Sequence, residues 1–158
     1  MAITMELAAH PDGVLEHLDD DTNEDQIASV LFDESEHTYS AGRIWHVIHF
    51  ILVGDAEAVK NSRASFMLSG GHKVGPSREH GRARVFSNTQ CRAILEALID
   101  PKEFENRLAA WPNPDDVAYG DRIVKGSPEP DYASICRELR TFIADAVERG
   151  DGVVTARV

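Results

Sequence analysis

Two histidines, His46 and His49, stand one helical turn apart in the most apolar run of the chain, Ile44 to Val53. At that spacing their rings can lie close together, which suits a metal pair or an acid/base pair. A zinc site needs a third and usually a fourth ligand, and His-x-x-His supplies two. The pair therefore reads as structural, at the edge of a core helix, and no metal or cofactor is expected. A metal protein would need His72 or His80 alongside. The second cluster is Gly70-Gly71-His72-Lys73, followed by Arg78, Arg82 and Arg84. Glycines let backbone N–H groups face a ligand, and arginine forks a carboxylate or phosphate bidentately, so the chemistry on offer is anion binding. The plainer alternative is a β-turn leading into a solvated basic strand. The Gly-Lys-Ser/Thr ending of a P-loop, G-x-G-x-x-G and His-Glu-x-x-His are absent. Ser69 lacks the frame of a nucleophile elbow. Glu79-His80 could exchange a proton near neutral pH, without a supporting pattern. No catalytic residue is assigned.

Charge adds a third feature. The 158-residue chain has a formal net charge of −11. Residues 1–42 hold eleven acids and no Lys or Arg, while residues 43–158 hold sixteen of each sign. An acidic chain is a poor ligand for phosphate backbones, so nucleic acid is not an expected partner. The acidic run Asp19-Asp20-Asp21 could attract a basic partner; the alternative is a solvated face that aids solubility. Cys91 and Cys136 are 45 residues apart, outside any metal or redox spacing, and read as buried free thiols of a reducing cytosol. The start of the chain does not read as a signal peptide and no run is long enough to span a membrane, so the expected location is the cytoplasm.

These residues need elements to hold them. Residues 2–9 alternate as a strand with one buried face. Short helices are expected at Val14–Leu18 and Asn23–Phe32, then a polar loop over 33–41. Arg43–Val53 reads as a buried helix with Ser40 as N-cap and Gly54 as left-handed terminator. Ser65–Ser69 and Arg82–Phe86 read as strands, the latter with Arg82 and Arg84 on one face and Ala83 and Val85 on the other. Ser87-Asn-Thr-Gln90 is a capping box, and the helix it opens ends at Asp100-Pro101. A further helix covers Lys102–Ala110. Residues 115–130 read as loop with a faint strand signal at Ile123–Val124. Asp131–Arg149 is the most regular amphipathic helix, stopped by Gly150, and 152–158 form a terminal strand. At this length the chain suits one domain. The fold expected over 1–158 is a single α+β domain, with a small, mostly antiparallel sheet packed with helices around a central tryptophan-bearing helix.

The order Trp45-His46-x-x-His49-Phe50-x-Leu52-x-Gly54, the turn Phe66-x-Leu68-x-Gly70-Gly71, Gly75 and the Arg84-Val85-Phe86 strand entering a helix resemble the YfbM-like family, a bacterial family of domains of unknown function. The resemblance spans about 1–158 and is most specific over 43–99. It implies an α+β domain with the tryptophan helix central, and no activity. The functional expectation is a non-catalytic domain that binds a protein partner or a small ligand. One form is an inhibitor-like protein with Asp19–Asp21 on its docking face. The alternative is an enzyme or sensor for a small anionic compound, using His46, His49, His72, Arg78, Arg82 and Arg84 around Gly70-Gly71. It requires the tryptophan helix and the Gly-Gly turn to meet at one pocket.

Overall fold

The computed structural model describes residues 3–54, 62–110 and 131–158. Its centre is a pair of strands from opposite ends of the chain. Strand β1 (Met5–Pro11) lies antiparallel to β5 (Asp151–Arg157), with Leu7 opposite Thr155 and Ala8 opposite Val154. On one flank β1 carries β2 (Thr38–Gly42); on the other, β5 carries β4 (Ala83–Phe86) and then β3 (His72–Val74). Every pairing in this five-stranded sheet is antiparallel.

Side-chain alternation sends successive residues to opposite faces, and both faces are covered. Met5, Leu7, Ala9, Phe86 and Val153 pack into the larger core with helices α3 (Trp45–Val53), α4 (Asn88–Ala97), α5 (Pro101–Ala110) and α6 (Tyr132–Arg149). Ala8, Val74, Ala83, Val154 and Ala156 face a smaller core. That core is closed by α1 (Asp12–Leu15), by α2 (Glu24–Ala28) and by the π-turn Ser29–Asp33 that prolongs α2. The result is an α+β domain of three layers. Burial on both faces is why β5 reads as the nearly unbroken apolar GVVTA rather than as clean alternation. A sequence meant for two covered faces also leaves the chain few places to expose Asp151–Ala156, all of which are buried.

Helix α3 is apolar all round because it is buried all round: Trp45 to Leu52 are buried without exception. Gly54 ends it at φ 77°, as expected. Arg107 Nη1 on α5 donates to the carbonyl of Leu52 at 3.0 Å, supplying one of the partners a helix end lacks. Both ends of α4 are closed as well. Ser87 and Gln90 form the expected capping box, and Arg140 Nη1 donates to the Leu98 carbonyl at 2.7 Å.

Four expectations need correction. Ser40 does not cap α3; the residue at that position is Ile44, with no side-chain cap. Ser40 instead lies in β2, inside the stretch 33–41 expected to be loop, and donates to Glu6 Oε1 at 2.9 Å. An edge strand with an exposed, polar outer half carries little apolar signal. Residues 65–69 are not a strand: a 3-10 turn at Arg63–Ser65 continues into further turns, with the N–H groups of Leu68 and Ser69 both donating to the Ser65 carbonyl at 3.0 Å. Phe66 and Met67 are both buried, carried inward by these turns rather than by a strand. The first helix is the single turn Asp12–Leu15, rather than Val14–Leu18. The expected strand signal at Ile123–Val124 lies outside the described residues.

Candidate functional site

Gly70 and Gly71 form the turn between the 3-10 segment and β3, both with positive φ (81° and 66°). The turn is held from behind. Arg84 Nη1 donates to the Gly70 carbonyl at 2.8 Å, and a Cβ on Gly71 would meet the Val85 carbonyl oxygen at 2.7 Å and Phe86 Cε1 at 2.9 Å. The turn therefore lies flat on β4. In front of it is a cleft of about 570 Å³, between the turn and helix α4. Phe66 and Phe86, packed edge to face at 6.3 Å, belong to its lining together with Ala93 and Ile94. Ser62, Arg63, Ser69, Thr89 and Gln90 supply its polar groups. Arg63 is exposed and is the one cationic side chain in that lining among the described residues. A shallower hollow of about 580 Å³ adjoins it beyond Arg63, with Glu96 at its rim.

The other expected ligands are placed elsewhere. His46 and His49 are in the larger core, 4% and 0% exposed, with the His46 ring edge-on to Trp45 at 5.7 Å; no residue of α3 lines the cleft. His72 opens β3 on the opposite side and lines a second hollow of about 340 Å³ with Asp12, Glu16 and Asp19. Among the described residues no group of three or more His, Cys, Asp or Glu side chains is placed to hold a metal ion.

Two of the three expected arginines, Arg82 and Arg84, are engaged by the fold. Arg82 Nε donates to the Gly75 carbonyl at 2.9 Å and its Nη2 pairs with Asp20. That guanidinium, through its hydrogen bond first and its charge second, holds the Asp20 carboxyl below the usual aspartate range. Arg84 is half-buried, and burial first and repulsion from Arg157 second lower its pKa. It pairs with Thr155 and lies on the sheet face of the larger core, while Ala83 and Val85 face the smaller core, as alternation requires. Arg157 in turn lies over the Trp45 ring, 5.7 Å from its centroid. Arg78 is half-exposed and lines none of these hollows.

Of the acidic run, Asp19 Oδ1 accepts from the Asp21 N–H at 2.8 Å and so builds a turn. Asp20 holds Arg82. Asp21 extends an exposed surface that also carries Glu24, Asp25, Asp33, Glu34 and Glu36. Phe32 stands in this surface at 52% exposure. Sequence reading missed Phe32, although it stands one residue past the apolar positions Ile27, Val30 and Leu31 and so shares the outer face with Asp25 and Ala28; that offset was the available signal. It also missed Arg63, whose position beside α4 is set by packing between distant segments; no local pattern marks it.

A model of the family described as Domain of unknown function (DUF1877) matches residues 2–156. The chain belongs to the DUF1877 family. The crystal structure of YfbM from Escherichia coli, a protein of unknown function, is similar to this DUF1877 domain with a TM-score of 0.67 at 17% identity, covering 98% of this chain and 99% of that one. At that identity the likeness is one of fold. No curated protein matches. In this DUF1877 domain no helix among the described residues is long and apolar enough to cross a membrane.

Proposed function

We propose that this DUF1877 domain is a non-catalytic binding protein whose N-terminal layer docks a basic protein partner. The observation that carries the reading is Phe32, a half-exposed aromatic set among carboxylates on the outer side of α2 and its π-turn. Asp25, Ala28 and Phe32 follow the spacing of one helix face and all three are exposed. An aromatic anchor with a charged rim is the usual anatomy of a docking patch. The rim speeds encounter and selects the sign of the partner, and the ring supplies burial. Of the three aspartates expected on this face, Asp21 is the one whose carboxylate is not already engaged by the fold.

The test is co-purification from a lysate of the source cell at about 0.05 M and about 0.5 M salt, where the Debye length falls several-fold. The wild type is compared with Phe32→Ala and with Asp21→Asn/Asp25→Asn/Asp33→Asn. The expected result is a basic protein retained at low salt, released at high salt and lost by both variants. Retention that ignores salt and both variants, or no retained protein, overturns the reading.

A further inference from the structure

We infer that the cleft between the Gly70-Gly71 turn and α4 is a binding site for a small organic carboxylate with an apolar body, such as an aryl- or alkyl-acid. This goes beyond the docking surface, which lies on the other layer of the molecule and is independent of it. The inference starts from the division of labour inside the cleft. Phe66, Phe86 and Ile94 are buried core residues that also line it, so part of its lining is apolar and held in place by the core. An apolar group seated there removes chiefly its own surface from water, at about 25 cal/mol per Å².

Polar groups line the same cleft. Arg63 makes no hydrogen bond or ion pair among the described residues, unlike Arg82, Arg84, Arg107 and Arg140. Its planar fork matches a carboxylate. Thr89 brings a hydroxyl, whereas the Ser69 hydroxyl already donates to the Ser65 carbonyl at 3.2 Å, and the Gly70-Gly71 turn brings a backbone that no Cβ screens. The turn is fixed in place by Arg84, so its geometry does not depend on a ligand. A volume of about 570 Å³ falls within the range of small-molecule pockets. Among the described residues one cation stands in a partly apolar lining, which selects a monoanion with a hydrophobic body. Inorganic phosphate and polyanions, which need several positive groups, are poor occupants. Glu96 beyond Arg63 adds a penalty for a second negative charge.

The experiment is isothermal titration of the full chain with phenylacetate, hexanoate, phenylacetamide and inorganic phosphate, on the wild type, Arg63→Gln and Ala93→Leu. Arg63 is exposed, so its replacement leaves the core intact; Ala93→Leu fills the cleft from the α4 side. The expected result is binding of at least one of the two acids, about tenfold or more weaker for phenylacetamide and for Arg63→Gln, the size of a lost charge-assisted hydrogen bond, and weakened again by Ala93→Leu. Equal affinity for phenylacetate and phenylacetamide, equal affinity of wild type and Arg63→Gln, tighter binding of phosphate than of either acid, or no binding of either acid at millimolar concentration overturns the inference. None of these outcomes bears on the Phe32 surface.

Discussion

Gly71 shows what a single residue is required for in this fold. Its φ is 66°, and a Cβ there would approach the Val85 carbonyl oxygen to 2.7 Å. Backbone cannot move aside as a flexible side chain can. Gly42 has nearly the same φ, 64°, with nothing within 4 Å of a Cβ. Gly71→Ala should therefore cost about 2 kcal/mol or more, and Gly42→Ala about 1 kcal/mol, the part due to left-handed backbone alone. Urea unfolding of the two variants measures the difference; equal losses would mean that contact with β4 does not constrain the turn. The thiols make a second prediction at this scale. Burial pushes Cys91 up to about 12 and Cys136 up to about 11. Thiolate is the reactive form, so both should resist alkylation in the native protein at pH 8 and react once it is unfolded.

At the scale of elements, the helices hold through their ends. The Ser87–Gln90 box opens α4 and Arg140 closes it. Ser87→Ala should cost about 1 kcal/mol. Arg140→Ala should cost about 1–3 kcal/mol, because the Leu98 carbonyl loses a charged donor. Thermal unfolding reads both. The opening was visible in sequence, since a capping box is four consecutive residues. The closing was not, since Arg140 lies 42 residues from Leu98. The same distinction explains the strands. β1 and β4 carry enough apolar alternation, and β5 a long enough apolar run, to be read, although β5 starts one residue earlier than expected. The edge strands β2 and β3 are short and polar, and they become strands because a neighbour offers them hydrogen bonds. Ser65–Ser69 failed in the opposite sense: its composition suits a strand, and no sheet edge is offered to it.

At the scale of the whole molecule, buried ionisable groups set the response to alkali. Tyr39 is raised by burial first and by its hydrogen bond to the Glu138 carboxylate second, in the same direction as the two thiols. Each of these groups ionises more readily in the unfolded chain. The stability they contribute is thus full below the unfolded values of about 9 to 10 and is lost as pH rises through the folded ones. Above pH 9 stability should fall by up to about 1.4 kcal/mol per pH unit for each group that is ionised only in the unfolded chain. Replacing both cysteines by alanine should flatten the first part of that slope in urea unfolding between pH 8 and 10.5. A slope unchanged by the replacement would assign the loss to other groups.

The sequence by itself determined the α+β class, the buried tryptophan helix with its glycine stop, the capped helix after β4, the long C-terminal helix and the lopsided charge. Each is written in residues close together in the chain, as periodicity, caps or composition. Tertiary structure alone decided where the chemistry went. It buried His46 and His49 in the core, turned Arg82 to Asp20 and Arg84 to the back of the Gly-Gly turn, and left Arg63 at the cleft. It also put Phe32 outside while Ile27, Val30 and Leu31 of the same helical segment went inside. Local patterns fix which side chains share a face. Whether a given arginine meets a carbonyl, a carboxylate or solvent depends on segments dozens of residues away, and that is settled only when the layers close on the sheet.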